Sequence, residues 1–252
     1  MHPSPPAAKP ATPASGADDD DPIFDTAPED PLHMGPLWKS LRMVARVATT
    51  LLFDLKVFGV EHVPRSGGAI IASNHQSYLD PVLIGVALPR PLSYMAKSEL
   101  FRNRFFARLI RSLHAFPVRQ GAGDVGAMKE SIRRVREGHL LNIYPEGTRT
   151  EDGRLQPILP GVALVVRRAG VPVVPAVVDG AFDAWPPHRK LPRPRRWPII
   201  VLYGPPMDFS GLKGEAISQS IDQTFRRMLE AAAERRRELE SLDPWLAKPA
   251  TP

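Results

Sequence analysis

Behind Pro36, apolar residues recur at three- to four-residue spacing: Leu37, Leu41, Val44, Ala48, Leu51, Leu52 and Leu55. That period belongs to one face of an α-helix, and proline suits a first turn, so an amphipathic helix is expected from Pro36 to about Lys56. Its longest uncharged run, Val47 to Phe53, falls far short of the ~20 apolar residues that span a bilayer. The pattern then shortens. Val57–Val63 and Ala69–Ala72 read as β-branched runs split by the turn Pro64–Gly68. Helical stretches are expected at Pro81–Leu88, Lys97–Leu113 and Val125–Glu137, the last closed by Gly138. His139–Tyr144 predicts a strand, Gly161–Ala169 a helix ending at Gly170, and Val171–Val178 a fully apolar strand. Ile199–Tyr203 is the last strand, and Ile217, Ile221, Phe225 and Met228 mark a closing helix that turns basic at Arg235–Arg237. Strands alternating with helices predict an α/β fold: a mixed, largely parallel sheet with helices on both faces, preceded by the amphipathic N-terminal helix.

Composition narrows the classes. The chain has 252 residues and no cysteine, which excludes a disulfide framework, a thiolate metal site and a cysteine nucleophile. None of the seven histidines forms an H-x-x-H or H-E-x-x-H pair, so neither a metal nor any other cofactor is expected. Residues 1–36 carry seven acids against Lys9 alone, so a chain of +6 overall has a body of +12. Nine of the 29 prolines also fall there, with few large apolar residues to offset the entropy of ordering, so residues 1–35 read as a tail. They lack the basic start and apolar stretch of an export signal. A basic body suits a polyanionic partner, whether nucleic acid, anionic lipid or a phosphorylated substrate, and charge alone does not choose among them. Nothing reads as a helix-turn-helix, an RNA-binding sheet motif or a zinc finger, so no nucleic-acid partner is expected. Basic residues beside the Pro36–Lys56 stripe, with Trp38 at its flank, fit either a helix lying in a membrane surface or an ordinary helix packed on the core.

Chemistry concentrates at strand ends. Asn74-His75-Gln76-Ser77-Tyr78-Leu79-Asp80-Pro81 follows the apolar run Ala69–Ala72. Five residues on a continuous helix put His75 and Asp80 off a common face, so a bend must join them. Asp80-Pro81 supplies one, as an N-cap followed by proline. In that geometry Asp80 accepts the Nδ1 proton of His75 and leaves Nε2 as a base; otherwise Asp80 only caps a helix and His75 is a loop histidine. Tyr144-Pro145-Glu146-Gly147-Thr148-Arg149-Thr150 follows the strand His139–Tyr144: Gly147 lets backbone approach a ligand, Thr148 adds a hydroxyl, and Arg149 offers a planar fork suited to phosphate. Phe116-Pro117-Val118-Arg119 and Val171-Pro172-Val173-Val174-Pro175 sit at further strand edges, where open α/β sheets bind ligands.

In this order, Asn74-His75 with Asp80, then Phe116–Arg119, then Pro145–Arg149, then Val171–Pro175 resemble the four sequence blocks of the glycerolipid acyltransferase family, over roughly residues 55–205. Thr150 stands where a serine is often found. The resemblance implies an acyltransferase domain over 57–243, followed by a tail over 244–252. It implies an O-acyltransferase moving a fatty acyl group from acyl-CoA or acyl-carrier protein to the free hydroxyl of 1-acyl-sn-glycerol-3-phosphate, giving phosphatidic acid. His75 and Asp80 would be catalytic. Arg119 and Arg149 would clamp the acceptor phosphate, Glu146 would orient that site, Gly147 and Thr148 would line it, and Lys97 would add a contact. A lipid acceptor implies docking on an anionic membrane surface, at the cytoplasmic face and without spanning it. The 36–56 helix is then its anchor, with His188–Trp197 a further basic contact. Two alternatives stay open: the same reaction on another lyso-lipid, such as a lyso-ornithine lipid or a lysophospholipid, and a non-catalytic basic lipid-binding protein.

Overall fold

The computed structural model describes residue 32 and residues 34–118, 125–194 and 198–242. At its centre lies β2 (Ala69–Ser73), five residues buried on both faces. The parallel strands β5 (Leu140–Ile143) and β6 (Val173–Asp179) flank it, so that Ile71 stands between Asn142 and Val174. Beyond β5 come β3 (Leu92–Lys97) and β4 (Ala115–Val118), also parallel. On the other side β7 (Ile200–Tyr203) runs antiparallel to β6, and β1 (Lys56–Phe58) runs parallel to β7. The order is β1-β7-β6-β2-β5-β3-β4. This is a mixed, largely parallel α/β sheet.

Alternation within the strands builds two cores. Ala69, Ile71, Val174 and Val178 face one side, where they meet Phe53 of α1 (Pro36–Phe53) and Leu83 and Ile84 of α2 (Asp80–Val86). Ile70, Ala72, Val173 and Val177 face the other, against Val135 of α4 (Val125–Arg136), Val162 and Val166 of α5 (Pro160–Ala169), and Ile217, Ile221 and Phe225 of α7 (Gly214–Leu242). With both faces covered, the inner strands read as continuous apolar runs, which is why periodicity found them. A four-residue helix, α6 (Ala181–Ala184), follows β6.

Two expectations change. The run Val57–Val63 is not one strand: β1 stops at Phe58, Gly59 turns at φ +74°, and Val60–His62 form a 3₁₀ turn. A Cβ at Gly59 would lie 2.0 Å from the Tyr203 carbonyl oxygen, so the turn requires glycine for conformation and for space. The stretch Lys97–Leu113 is not one helix: a 3₁₀ turn covers Ser98–Phe101, and α3 (Arg104–Ser112) starts afresh where the Asn103 side chain accepts the amides of Phe105 and Phe106 at 3.0 and 3.1 Å. Before it, β3 had no clear strand signature, because Ser93, Met95 and Ala96 carry little intrinsic strand preference and pairing with β4 and β5 decides. Pro117 is tolerated in β4 because that strand is the sheet edge.

One buried cation ties together the end of the sheet where β2 and β5 begin. Arg90, 3% exposed, donates to the carbonyls of Pro64 (3.0 Å), Gly138 (2.7 Å) and Gly67. Arg90→Ala would leave these carbonyls without their donor and is expected to cost roughly 2–4 kcal/mol. Urea unfolding checks this, and a loss well under 1 kcal/mol would mean that water replaces the guanidinium freely.

Candidate active site

The five mutually parallel strands β2 to β6 deliver their carboxyl ends to one rim, and the chain turns there in the way the local sequence dictates. After Ser73, the Asn74 side chain pairs with the backbone of β6, accepting from Val178 N at 2.7 Å and donating to Val178 O at 3.0 Å. Side chain thus replaces main chain in the ladder, and the backbone leaves the sheet at His75. Asp80, fully buried, closes the bend: its Oδ2 accepts the amides of Gln76 (2.6 Å) and Ser77 (2.7 Å) and lies 2.8 Å from His75 Nδ1. Asp80 does not cap α2, contrary to the expectation; Leu79 occupies the N-cap, Asp80 is the first helical residue, and its carboxylate turns back toward the bend. With Nδ1 donating to Asp80, the imidazole keeps a lone pair on Nε2.

The segment after β5 grips the same residue. Glu146 accepts the His75 amide at 2.7 Å with Oε1 and the Gln156 amide at 2.7 Å with Oε2. The Thr150 amide donates to the His75 carbonyl at 2.9 Å. Both backbone polar groups of His75 are therefore held by residues 146–150. The Tyr144 ring stacks on the imidazole, centroids 3.7 Å apart and planes 12° from parallel. Burial, reinforced by the Asp80 charge, holds the Tyr144 hydroxyl proton well above its ordinary pKa. Burial also pushes the Glu146 carboxyl up to about 7, against the pull of the Gln156 and His75 amides.

The remaining candidates surround this centre. The Arg149 guanidinium lies 3.6 Å over the Tyr78 ring, and Tyr78 in turn meets Trp185 at 5.2 Å between centroids. Gly147 and Thr148 are exposed. Gly147 has φ +72°, and a Cβ there would come within 2.3 Å of Leu159 Cδ1, so the turn packs against that side chain. Lys97 is exposed at the carboxyl end of β3, opposite Val118 of β4. Arg119, the residue after Val118, lies outside the described residues, as do Arg195–Trp197 of the basic segment. No local pattern marks Tyr144 as a stacking partner, Tyr78 beneath Arg149, or Trp185, which lies far along the chain from the motif it packs against.

A family profile described as acyltransferase matches residues 54–179, half of the chain and the whole span from His75 to Arg149. This chain belongs to the glycerolipid acyltransferase family, and it is an O-acyltransferase. It is similar to the 1-acyl-sn-glycerol-3-phosphate acyltransferase of Bacillus subtilis, 29% identical over 200 residues that cover 76% of this chain and 96% of that one. The human 1-acyl-sn-glycerol-3-phosphate acyltransferase beta is 31% identical over 170 residues, 63% of this chain and 58% of its own. Against the Limnanthes douglasii enzyme of the same name, identity is 32% over 61% of this chain and 54% of the relative, so the chain spans about half the length of such plant relatives. Among solved structures, the 1-acyl-sn-glycerophosphate acyltransferase PlsC of Thermotoga maritima superposes with a TM-score of 0.66 at 26% identity, over 77% of this chain and 78% of that one.

The acyltransferase's Glu146 makes a pH prediction. A carboxyl whose folded pKa is raised from 4.5 to about 7 holds its proton longer folded than unfolded. Its contribution is fully present below pH 4.5 and is lost as pH rises toward 7, by up to about 1.4 kcal/mol per unit inside that window. Glu146→Gln carries no such loss, but it offers a donor to one of the two amides. Its stability deficit should therefore be largest near pH 5 and shrink toward pH 8, as read from urea midpoints, with turnover reduced throughout. A deficit that grew with pH would overturn the burial assignment.

Proposed function

We propose that the enzyme transfers a fatty acyl group from acyl-CoA or acyl-carrier protein to the free hydroxyl of 1-acyl-sn-glycerol-3-phosphate, yielding phosphatidic acid. The observation that carries this reading is a histidine whose ring is held by Asp80 and Tyr144 and whose backbone is held by Glu146 and Thr150, on the strand-end rim that also bears Arg149. His75 Nε2 takes the proton of the acceptor hydroxyl as its oxygen attacks the thioester carbonyl. The tetrahedral centre collapses by breaking the C–S bond, and the imidazolium returns its proton to the departing thiolate. Asp80 holds the tautomer needed for the first half and stabilises the cation of the second. No acyl-enzyme is required, in keeping with the lack of cysteine.

Arg149, Arg119 and Lys97 bind the acceptor phosphate, with Gly147 and Thr148 beside it. Glu146 orients this site through the backbone, since both its oxygens are engaged by amides of the loop and of His75. The names of the relatives from bacteria, plants and human support lysophosphatidate as acceptor. The enzyme works at the cytoplasmic face of the membrane as a peripheral or monotopic protein. Among the described residues no helix is long and apolar enough to cross a bilayer, yet α1 leaves Met43, Val44 and Leu51 exposed at 63, 66 and 78%. An amphipathic helix with such a face lies in the headgroup region.

His75→Ala should remove transfer from labelled oleoyl-CoA, by at least the ~10²–10⁴-fold that a positioned base supplies, while the fold stays intact by circular dichroism. Retained turnover would take the base out of the mechanism. Arg149→Ala should raise the KM for lysophosphatidate roughly 10- to 100-fold, the loss of a charge-assisted contact, with a far smaller effect on a phosphate-free acceptor. Equal losses on both acceptors, across a panel that includes lyso-ornithine lipid and lysophospholipids, would show that Arg149 does not read the phosphate.

A further inference from the structure

The exposed apolar residues are not spread evenly. Of the eighteen large ones among the described residues, ten lie on α1, α2 and α3, whereas α4, α5 and α7 carry two, each at a helix end. The three helices share one side of the sheet. Ala107 and Ile110 of α3 pack on Ala115, Tyr94 and Ala96, and Tyr94 also packs on the core beneath α1 and α2. Within this group Phe105 is 88% exposed and Phe106 43%, on the first turn of α3. The Asn103 side chain accepts both their amides, so the pair projects from a capped, defined turn.

Charge follows the same division. Neither α1 nor α3 contains an acid, and the single acid of α2 is the buried Asp80. Lys39 and Arg46 on α1, and Arg104 and Arg108 on α3, are exposed beside the apolar residues. On the opposite side of the sheet α7 alone carries six acids, among them Asp222, Glu230 and Glu238. The helices α1 and α3 thus present apolar and cationic residues with no acid of their own, the nearest acids in sequence being Asp54 after α1 and Glu99 before α3, whereas α7 is mixed.

Position adds to this. Because β3 and β4 are parallel, α3 starts at the rim where β3 ends, the rim that bears His75. Because β1 and β7 run against β6, the end of α1 reaches the same rim: Lys56 pairs with Ile200, and Ile200 pairs with Asp179 at the end of β6.

We propose that α3 is a second membrane-contact element, its Phe105–Phe106 pair inserting among acyl chains while Arg104 and Arg108 meet anionic headgroups. Together with α1 it fixes the plane in which the rim faces the bilayer. This extends the membrane-surface reading of α1 and is separable from it. One point of contact leaves a protein free to swivel on a membrane; two, on different helices, set its attitude. Each aromatic ring moved from water into the bilayer adds apolar burial, and each arginine near an anionic surface adds electrostatic attraction.

The test uses the full chain and co-sedimentation with phosphatidylcholine vesicles, with and without phosphatidylglycerol. Phe105→Ser with Phe106→Ser should weaken binding about tenfold or more, leaving turnover of a short-chain, monomerically dispersed lyso-lipid unchanged. Arg104→Gln with Arg108→Gln should remove most of the advantage of phosphatidylglycerol. Phe105→Trp keeps an aromatic ring and reads insertion directly, through quenching by brominated lipid beyond that of the wild type. Val44→Ser with Leu51→Ser tests α1 by itself. If that variant loses binding while Phe105→Trp shows no added quenching, α3 lies off the membrane and the proposal fails though the α1 reading stands. If the α1 variant binds normally and the Phe105–Phe106 variant does not, the α1 reading fails and α3 remains. A Phe105–Phe106 variant that binds vesicles normally but changes oligomeric state would assign the face to a second copy of the chain and overturn the proposal.

Discussion

Everything at the rim depends on the immobilisation of one residue, His75, by two segments that follow neighbouring strands. Its amide and carbonyl belong to Glu146 and Thr150 beyond β5, and its ring is set between Asp80 and Tyr144. The Ile71–Asn142 register between β2 and β5 is therefore not only a matter of core packing. A slip of one residue would move the Glu146 carboxylate away from the amide it accepts and turn every apolar side chain to the other face. The geometry of the sheet and the geometry around His75 are one constraint, and the fully buried centre of the sheet gives that constraint its stiffness.

That dependence explains what a reader of the sequence finds and misses. The inner strands β2, β5 and β6 stand out because both their faces are covered, so their apolar runs are unbroken. The histidine and aspartate were legible as a pair only if the chain bends between them, and the bend is built from two features with weak sequence signals. Asn74 substitutes for backbone in the β6 ladder, and Asp80 collects the Gln76 and Ser77 amides. Glu146, which the resemblance casts as orienting the phosphate site, has both carboxylate oxygens on backbone amides, a use that no local sequence pattern announces. Tyr144 and Trp185 were invisible for a simpler reason: no local pattern specifies what a ring will stack upon once distant segments meet.

The antiparallel junction between β6 and β7 shapes the other half of the molecule. Without the reversal, β1 would start at the opposite end of the sheet and α1 would finish there, away from the chemistry. With it, α1 runs from the Arg42–Val86 contact toward Phe53, whose carbonyl accepts the Ile199 amide close to the end of β6. A two-stranded extension thus carries an amphipathic helix to the rim, and among the described residues no helix is long and apolar enough to cross a bilayer.

Arg149 rests on an aromatic ring rather than against a carboxylate. A carboxylate would neutralise the guanidinium and compete with any incoming anion. The face of Tyr78 instead fixes its plane while leaving its in-plane N–H edge, among the described residues, without a carboxylate partner. The side chain is thereby preorganised yet electrostatically vacant. Lysine, with no plane to lay against a ring, would keep the charge at this position and lose the orientation.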